Sequence, residues 1–180
     1  MTPSEKKLVF RTVLATLLVL MIAGVVGGYA FMRTGIYNIS ATSQHLQPIY
    51  SILEKGMHYS VRYHAADITA PPTDDMQMVK RGALTFHGAC VQCHGAPGVA
   101  PHGIGMGMQP VPGPLVESAK KWEARELYWI VRHGIKMSGM PAWEYRMSEE
   151  QLWEVVAFMQ HLPQLSPAEY KEMTRSEDAR

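Results

Sequence analysis

Apolar residues fill the chain from Thr12 to Met32, where 21 consecutive positions carry no charge. Lys6, Lys7 and Arg11 precede this run and Arg33 closes it. At ~1.5 Å rise per residue a helix over it measures about 30 Å, enough to cross a hydrocarbon core. The pattern predicts a membrane anchor in residues 1–33. The early basic cluster sets the N-terminus on the cytoplasmic side and everything after Arg33 on the outer side. Gly28-Tyr29-Ala30 also offers a small-x-small cleavage site. The apolar run outlasts the ~7–15 residues of a signal-peptide core, so the reading taken is an uncleaved anchor. Gly24 and Gly28 form a G-x-x-x-G pair, a pattern that lets a second transmembrane helix approach but is weak by itself.

Beyond Arg33 the apolar positions become periodic. Leu46, Ile49, Ile52, Leu53, Met57 and Val61 recur at helical spacing between Ser43 and His64. Pro48 is tolerated only near a helix start, so this helix opens close to Gln47. It belongs to a connector, residues 34–72, which Pro71-Pro72 ends. The run His58-Tyr59-Ser60-Val61-Arg62-Tyr63-His64 is rich in rings. Solvation or packing against the following domain is the first expectation for it, with a partner, a propionate or a metal as alternatives.

A compact domain is expected over 73–165. Its first helix starts at the acidic Asp74-Asp75 and carries Met78, Val79, Gly82, Ala83 and Phe86 on one face. Residues 95–114 are crowded with glycine and proline, which excludes a regular helix or a central strand. A loop of that length inside a domain is usually functional. A second helix runs from Glu123 to His133 with Leu127, Ile130 and Val131 facing in, and Gly134 stops it. Ser148-Glu149-Glu150-Gln151 is a capping box opening the last helix. That helix carries Leu152, Val155, Val156 and Met159 and stops before Pro163. Residues 166–180 are polar and are expected to form an exposed or frayed tail. The expected fold is therefore all-α: a transmembrane helix, a connector helix and a small helical domain.

Charge excludes some partners. The net charge is +1, and nothing points to nucleic acid. After Arg33 there are 13 Lys and Arg against 15 Asp and Glu, too balanced for strong long-range steering. The 13 methionines are many for 180 residues, which matters once a metal is considered.

The two cysteines of the chain both lie in Cys90-Val91-Gln92-Cys93-His94. C-x-x-C-H is the attachment signature of a c-type haem. The thiols become thioethers on the haem vinyl groups, and the adjacent histidine is the proximal iron ligand. A thioredoxin-like pair would follow a strand in a βαβ pattern, and a zinc site would need four ligands. Neither context is present. With both thiols used for haem none is left for a disulfide, which suits an oxidising compartment. A carbonyl of the 95–114 loop should accept the other ring N–H of His94; the sequence does not say which.

Between the last two helices lies Gly134-Ile135-Lys136-Met137-Ser138-Gly139-Met140-Pro141-Ala142-Trp143. The order helix, C-x-x-C-H, Gly/Pro loop, helix, this segment, helix resembles the class I monohaem cytochromes c, of a membrane-anchored bacterial type. The resemblance spans roughly residues 75–163 and does not reach the connector or the tail. It implies that Met140 is the distal iron ligand. It also matches Gly82 and Phe86 to the family's glycine and aromatic on the first helix, and Trp153 to the aromatic on the last helix that crosses near that glycine. From the residues themselves, a thioether is a soft, neutral ligand that favours ferrous iron. Pro141 would stiffen the loop, and Gly139 would permit close backbone approach. Met137 remains a rival, His133 and His102 would give bis-histidine ligation, and Met106 and Met108 are expected to face the wrong side. Trp129, Trp143 and Tyr145 could donate to a propionate, with plain burial as the alternative.

With both axial positions taken by protein, the iron has no room for a substrate. The expected function is a non-enzymatic one-electron carrier with one haem c. It would sit on the periplasmic face of a bacterial inner membrane, single-pass, serving the respiratory chain. Its expected partners are a quinol-oxidising complex, a dehydrogenase or a terminal oxidase, with lipid around the anchor. The alternative is a cytochrome subunit fixed in a membrane oxidoreductase complex. A sensor or peroxidase with an open sixth position is a third reading, which the Met-Pro loop argues against.

Overall fold

Thr2 opens the first helix with a capping box: its hydroxyl accepts the Glu5 N–H, and the Glu5 carboxylate accepts the Thr2 N–H. The computed structural model describes residues 1–175. Helix α1 spans Pro3–Thr34 and ends at Gly35 in the left-handed region, φ 66°. None of its residues is buried, and it is long and apolar enough to cross a membrane. It belongs to one compact unit, Met1–Ser43; the second unit begins at Gln44.

In the second unit, α2 (Gln47–His64) starts where Pro48 requires, with the proline in its first turn. Its apolar stripe is buried only at the C-terminal end, at Val61 and the following Ala65, while Ile52 and Leu53 are exposed. Packing continues across Pro71-Pro72: the Arg125 guanidinium donates to the Ala66 carbonyl at 3.0 Å.

Helix α3 (Met76–Ala89) is capped by the Asp75 carboxylate, which accepts the Gln77 N–H, and buries Val79, Gly82, Ala83 and Phe86. The single turn α4 (Val91–His94) follows. Two further short turns, α5 (Gly103–Met106) and α6 (Ser118–Lys121), interrupt the long loop region. Glycine and proline around α5 exclude a long helix there but not a single turn. Helix α7 (Ala124–His133) opens with a Glu123–Glu126 capping box and buries Leu127, Tyr128 and Val131. After a 3₁₀ turn at Trp143–Tyr145 comes α8 (Glu149–His161), with the expected Ser148–Gln151 capping box. Helix α8 is buried at every position from Leu152 to Met159, as a central helix must be. Among the described residues there is no β-strand, only an isolated bridge between Ala96 and Val99. The fold is all-α.

Helices α3 and α8 cross at the centre. A Cβ on Gly82 would lie 1.9 Å from the Glu154 carbonyl oxygen, so only glycine lets the two backbones meet. One turn on, the Phe86 and Phe158 rings lie 5.0 Å apart. Trp153 stacks on Tyr128 at 4.0 Å, tying α8 to α7. Glu154 is buried, yet its carboxylate accepts from Arg81 Nε on α3, so the crossing carries no unpaired charge.

The tail departs from expectation. After a 3₁₀ turn at Leu162–Gln164, Ser166 and Glu169 form another capping box and open α9 (Pro167–Met173). Tyr170 is 1% exposed, and its hydroxyl lies 2.8 Å from His87 Nδ1 on α3. Desolvation pushes its phenol up to about 12. A seven-residue helix with one buried aromatic leaves no period to read, so composition alone suggested a frayed end; residues 176–180 lie outside the described residues. Tyr170→Phe removes the hydroxyl contact while His87, itself exposed, can turn to water. The expected loss is about 1 kcal/mol, measurable by denaturant unfolding.

Candidate functional site

Helix α3 ends at Cys90, whose N–H donates to the Phe86 carbonyl at 2.8 Å. The chain continues into α4, where the Cys93 and His94 N–H groups both donate to the Cys90 carbonyl, at 3.1 and 3.0 Å. Positions i, i+3 and i+4 of a helical turn share one face. That is why this spacing brings Cys90, Cys93 and His94 to the wall of a single cavity. Gly95, φ 66°, then turns the chain away. Cys90 is buried, and desolvation pushes its free thiol up to about 12.

The glycine- and proline-rich segment lies against this turn. A Cβ on Gly105 would come 2.8 Å from the Cys93 backbone, and the His102 N–H donates to the Gln92 carbonyl at 2.9 Å. The segment returns so that the Gly113 carbonyl, between Pro112 and Pro114, lies 2.8 Å from His94 Nδ1. A carbonyl can only accept, so Nδ1 carries the proton and Nε2 keeps its lone pair. This is the carbonyl the sequence left unassigned.

The opposite wall comes from the loop after α7. Gly134, φ 67°, reverses the chain, and the Ile135 N–H donates to the Met140 carbonyl at 3.2 Å. Ser138 Oγ–H donates to the Ile135 carbonyl at 2.7 Å and accepts the Met140 N–H at 3.1 Å. These bonds fold the loop so that Met140 lines the cavity. Met137 sits at the loop's tip, φ 60°, 83% exposed and away from the cavity. His102 and His133 are exposed and off the cavity wall; the His133 ring faces Glu144 at 3.4 Å. Arg132 also reaches Glu144, at 3.2 Å, and its hydrogen bond is the main reason the Glu144 carboxyl lies below its ordinary range. That pair ties the 3₁₀ turn behind Met140 back to α7.

Met108 corrects an expectation. It lines the same cavity, and its sulfur sits 2.2 Å from where a Gly139 Cβ would be. Met106 is exposed and lies outside the lining. The loop that supplies Gly113 thus reaches across to the Met140 loop, a meeting of distant segments that local sequence does not encode. Trp143 lines the cavity, whereas Tyr145 is exposed. Trp129 stacks on His64 with ring centroids 5.6 Å apart.

Gly134→Ala would place a Cβ 2.6 Å from the Met140 carbonyl oxygen, at a positive φ that alanine rarely adopts. The expected result is a loss of about 2 kcal/mol and displacement of the Met140 loop. Denaturant unfolding reads the first, and the visible spectrum of the holoprotein reads the second.

The family described as cytochrome C oxidase, cbb3-type, subunit III matches residues 77–159. This is a c-type cytochrome domain. No curated protein matches the chain. The match begins within α3 and ends within α8, so it takes in α4, the Gly113 segment, α7 and the Met140 loop. It assigns electron transfer to the cytochrome domain and implies haem c as its cofactor. Together with the apolar α1, it fits a membrane-anchored protein. The cavity also has two lining residues that sequence reasoning missed, Tyr50 and Met57 of α2, both outside the matched stretch.

Proposed function

We propose that this cytochrome is a membrane-anchored carrier of single electrons, in which Cys90 and Cys93 would hold one haem c as thioethers and His94 and Met140 would bind its iron. The observation that carries this reading is that two thiols, an imidazole and a thioether from two separate segments line one mainly apolar cavity. That donor set fits haem c, and the single C-x-x-C-H limits the count to one. Bound there, the haem would supply an iron centre that gains and loses one electron.

The chain's own residues prepare for that. Gly113 holds the His94 ring by Nδ1–H and leaves Nε2 for the metal. Ser138 and Ile135 brace Met140, so neither side chain must reorganise when charge changes. Leu127, Ile130, Val131, Val155 and Met159 keep water from the floor of the cavity. The haem domain lies on the periplasmic side of a bacterial inner membrane, as Lys6, Lys7 and Arg11 in the first turns of α1 favour.

The matched family is named for an oxidase subunit, which favours a second reading: a fixed cytochrome subunit passing electrons to a terminal oxidase. A free carrier would exchange with a quinol-oxidising complex or a dehydrogenase as well. In both cases the chain itself performs no catalysis. Spectra of the purified protein test the site: one haem per chain that resists acid–acetone extraction is expected, with the weak far-red band of a sulfur–iron bond when oxidised. A protein carrying no covalent haem would overturn it. Co-purification of an oxidase after mild detergent extraction separates the subunit from the carrier.

A further inference from the structure

Tyr50 and Met57 lie seven positions apart on α2, two helical turns and about 10.5 Å along the same face. Val61 and Ala65 extend that stripe, and both are buried where α2 meets the domain. The lower half of the stripe docks and the upper half lines the cavity.

Several contacts fasten the docked half. His58 stacks on Trp122 with ring centroids 4.4 Å apart and planes 15° apart, and Trp122 itself lines the cavity. His64 stacks on Trp129, and Arg62 faces the buried Glu126 carboxylate at 3.7 Å. Met57, next to His58, is thereby held in place. Tyr50, two turns closer to the helix start, is 41% exposed and stands at the edge of the cavity. The remaining lining residues run from Ala89 to Met159, inside the matched cytochrome stretch.

We propose that α2 is an additional wall of the haem site, with Tyr50 and Met57 as cofactor-site residues that shield the haem from water. The inference rests on the proposed haem site and adds to it. An apolar wall lowers the local dielectric, which disfavours the more highly charged ferric state and raises the reduction potential. The segment that follows the anchor then also tunes the electron-transfer centre, and the ring-rich run His58–His64 has a role: it pins the wall.

The test uses the full-length holoprotein in detergent. The variants are Tyr50→Ala, Met57→Ala, the double variant, and Ile52→Ala as a control on the exposed side of α2. The midpoint potential and the Soret circular dichroism are measured for each. A potential shifted downward in both single variants and furthest in the double, with a changed Soret dichroism and full haem content, is expected. Ile52→Ala should match wild type, and Tyr50→Phe should keep most of the wild-type potential because the ring does the shielding. Wild-type potential and dichroism in haem-replete Tyr50→Ala and Met57→Ala would overturn the proposal. Should the double variant lose haem, Tyr50→Ala decides, since that partly exposed side chain can be trimmed without opening the core. A wild-type protein lacking covalent haem would instead overturn the site itself, so the two failures are distinguishable.

Discussion

Gly82→Ala destabilises the cytochrome domain by about 3 kcal/mol or more, a large share of the ~5–15 kcal/mol that holds a domain together. The added Cβ would sit 1.9 Å from the Glu154 carbonyl oxygen and 3.1 Å from the Phe158 Cβ. The first of these is main chain in the buried stretch Leu152–Met159 of α8 and cannot swing aside as a side-chain tip can. Relief requires α3 and α8 to separate, which opens the Phe86–Phe158 contact and loosens Arg81 on Glu154. Because α3 runs straight into Cys90, the C-x-x-C-H turn shifts with it. Urea unfolding of the detergent-solubilised holoprotein and its haem content in the cell report the two consequences. An unfolding free energy within about 0.5 kcal/mol of wild type, as for a surface substitution, would contradict this crossing. Gly88→Ala is the companion control: it lies on the same helix, and its Cβ meets nothing within 4 Å.

Met140→Ala lowers the reduction potential by on the order of 0.1–0.2 V, inside the ~0.8 V range that axial ligation spans. Loss of a thioether removes the preference for ferrous iron and opens a coordination position. The expected signs are disappearance of the far-red sulfur–iron band and rapid binding of carbon monoxide to the reduced protein. Met137 is exposed at the loop's tip, but Met108 shares the cavity and touches Gly139. An unchanged band and potential after Met140→Ala would transfer the ligand to another sulfur of the cavity, with Met108, beside the Met140 loop, tested ahead of Met57 and Met159. Met108→Ala should leave both in place if Met140 is the ligand.

The helices were legible where burial has a period. The faces of α3, α7 and α8 could be read because a helix packed on one side repeats its apolar residues every three or four positions. The capping box at Ser148 and the stops at Gly134 and Pro163 are local, since they depend on backbone groups only a few residues away. The C-x-x-C-H reading is local too: one helical turn puts both thiols and the imidazole on one face. Helix α9 escaped notice because a single buried tyrosine carries no periodicity, and its Ser-x-x-Glu start lay inside a segment read as a polar tail. The turn α5 is hidden by the glycine and proline around it, and α6, four residues long, is too short to show a period.

The cavity was only half legible. Its thiols, imidazole and Met140 follow from two short motifs, each readable by itself. Gly113 could be anticipated only as a carbonyl somewhere in a loop of 20 residues, because which carbonyl reaches a ring depends on how the loop closes. Met108 was assigned to the wrong side for the same reason. Tyr50 and Met57 lie more than 30 residues from the cysteines and became part of the cavity only through the docking of α2. Sequence by itself therefore determined the all-α class, an apolar helix long enough to span a bilayer and the haem-binding chemistry, all set by neighbours within a turn or two. Tertiary structure alone decided which carbonyl orients His94, which methionines share the cavity and which helix covers it. Those are contacts between segments far apart in the chain, and their partners are chosen by the packing of the whole domain rather than by any local rule.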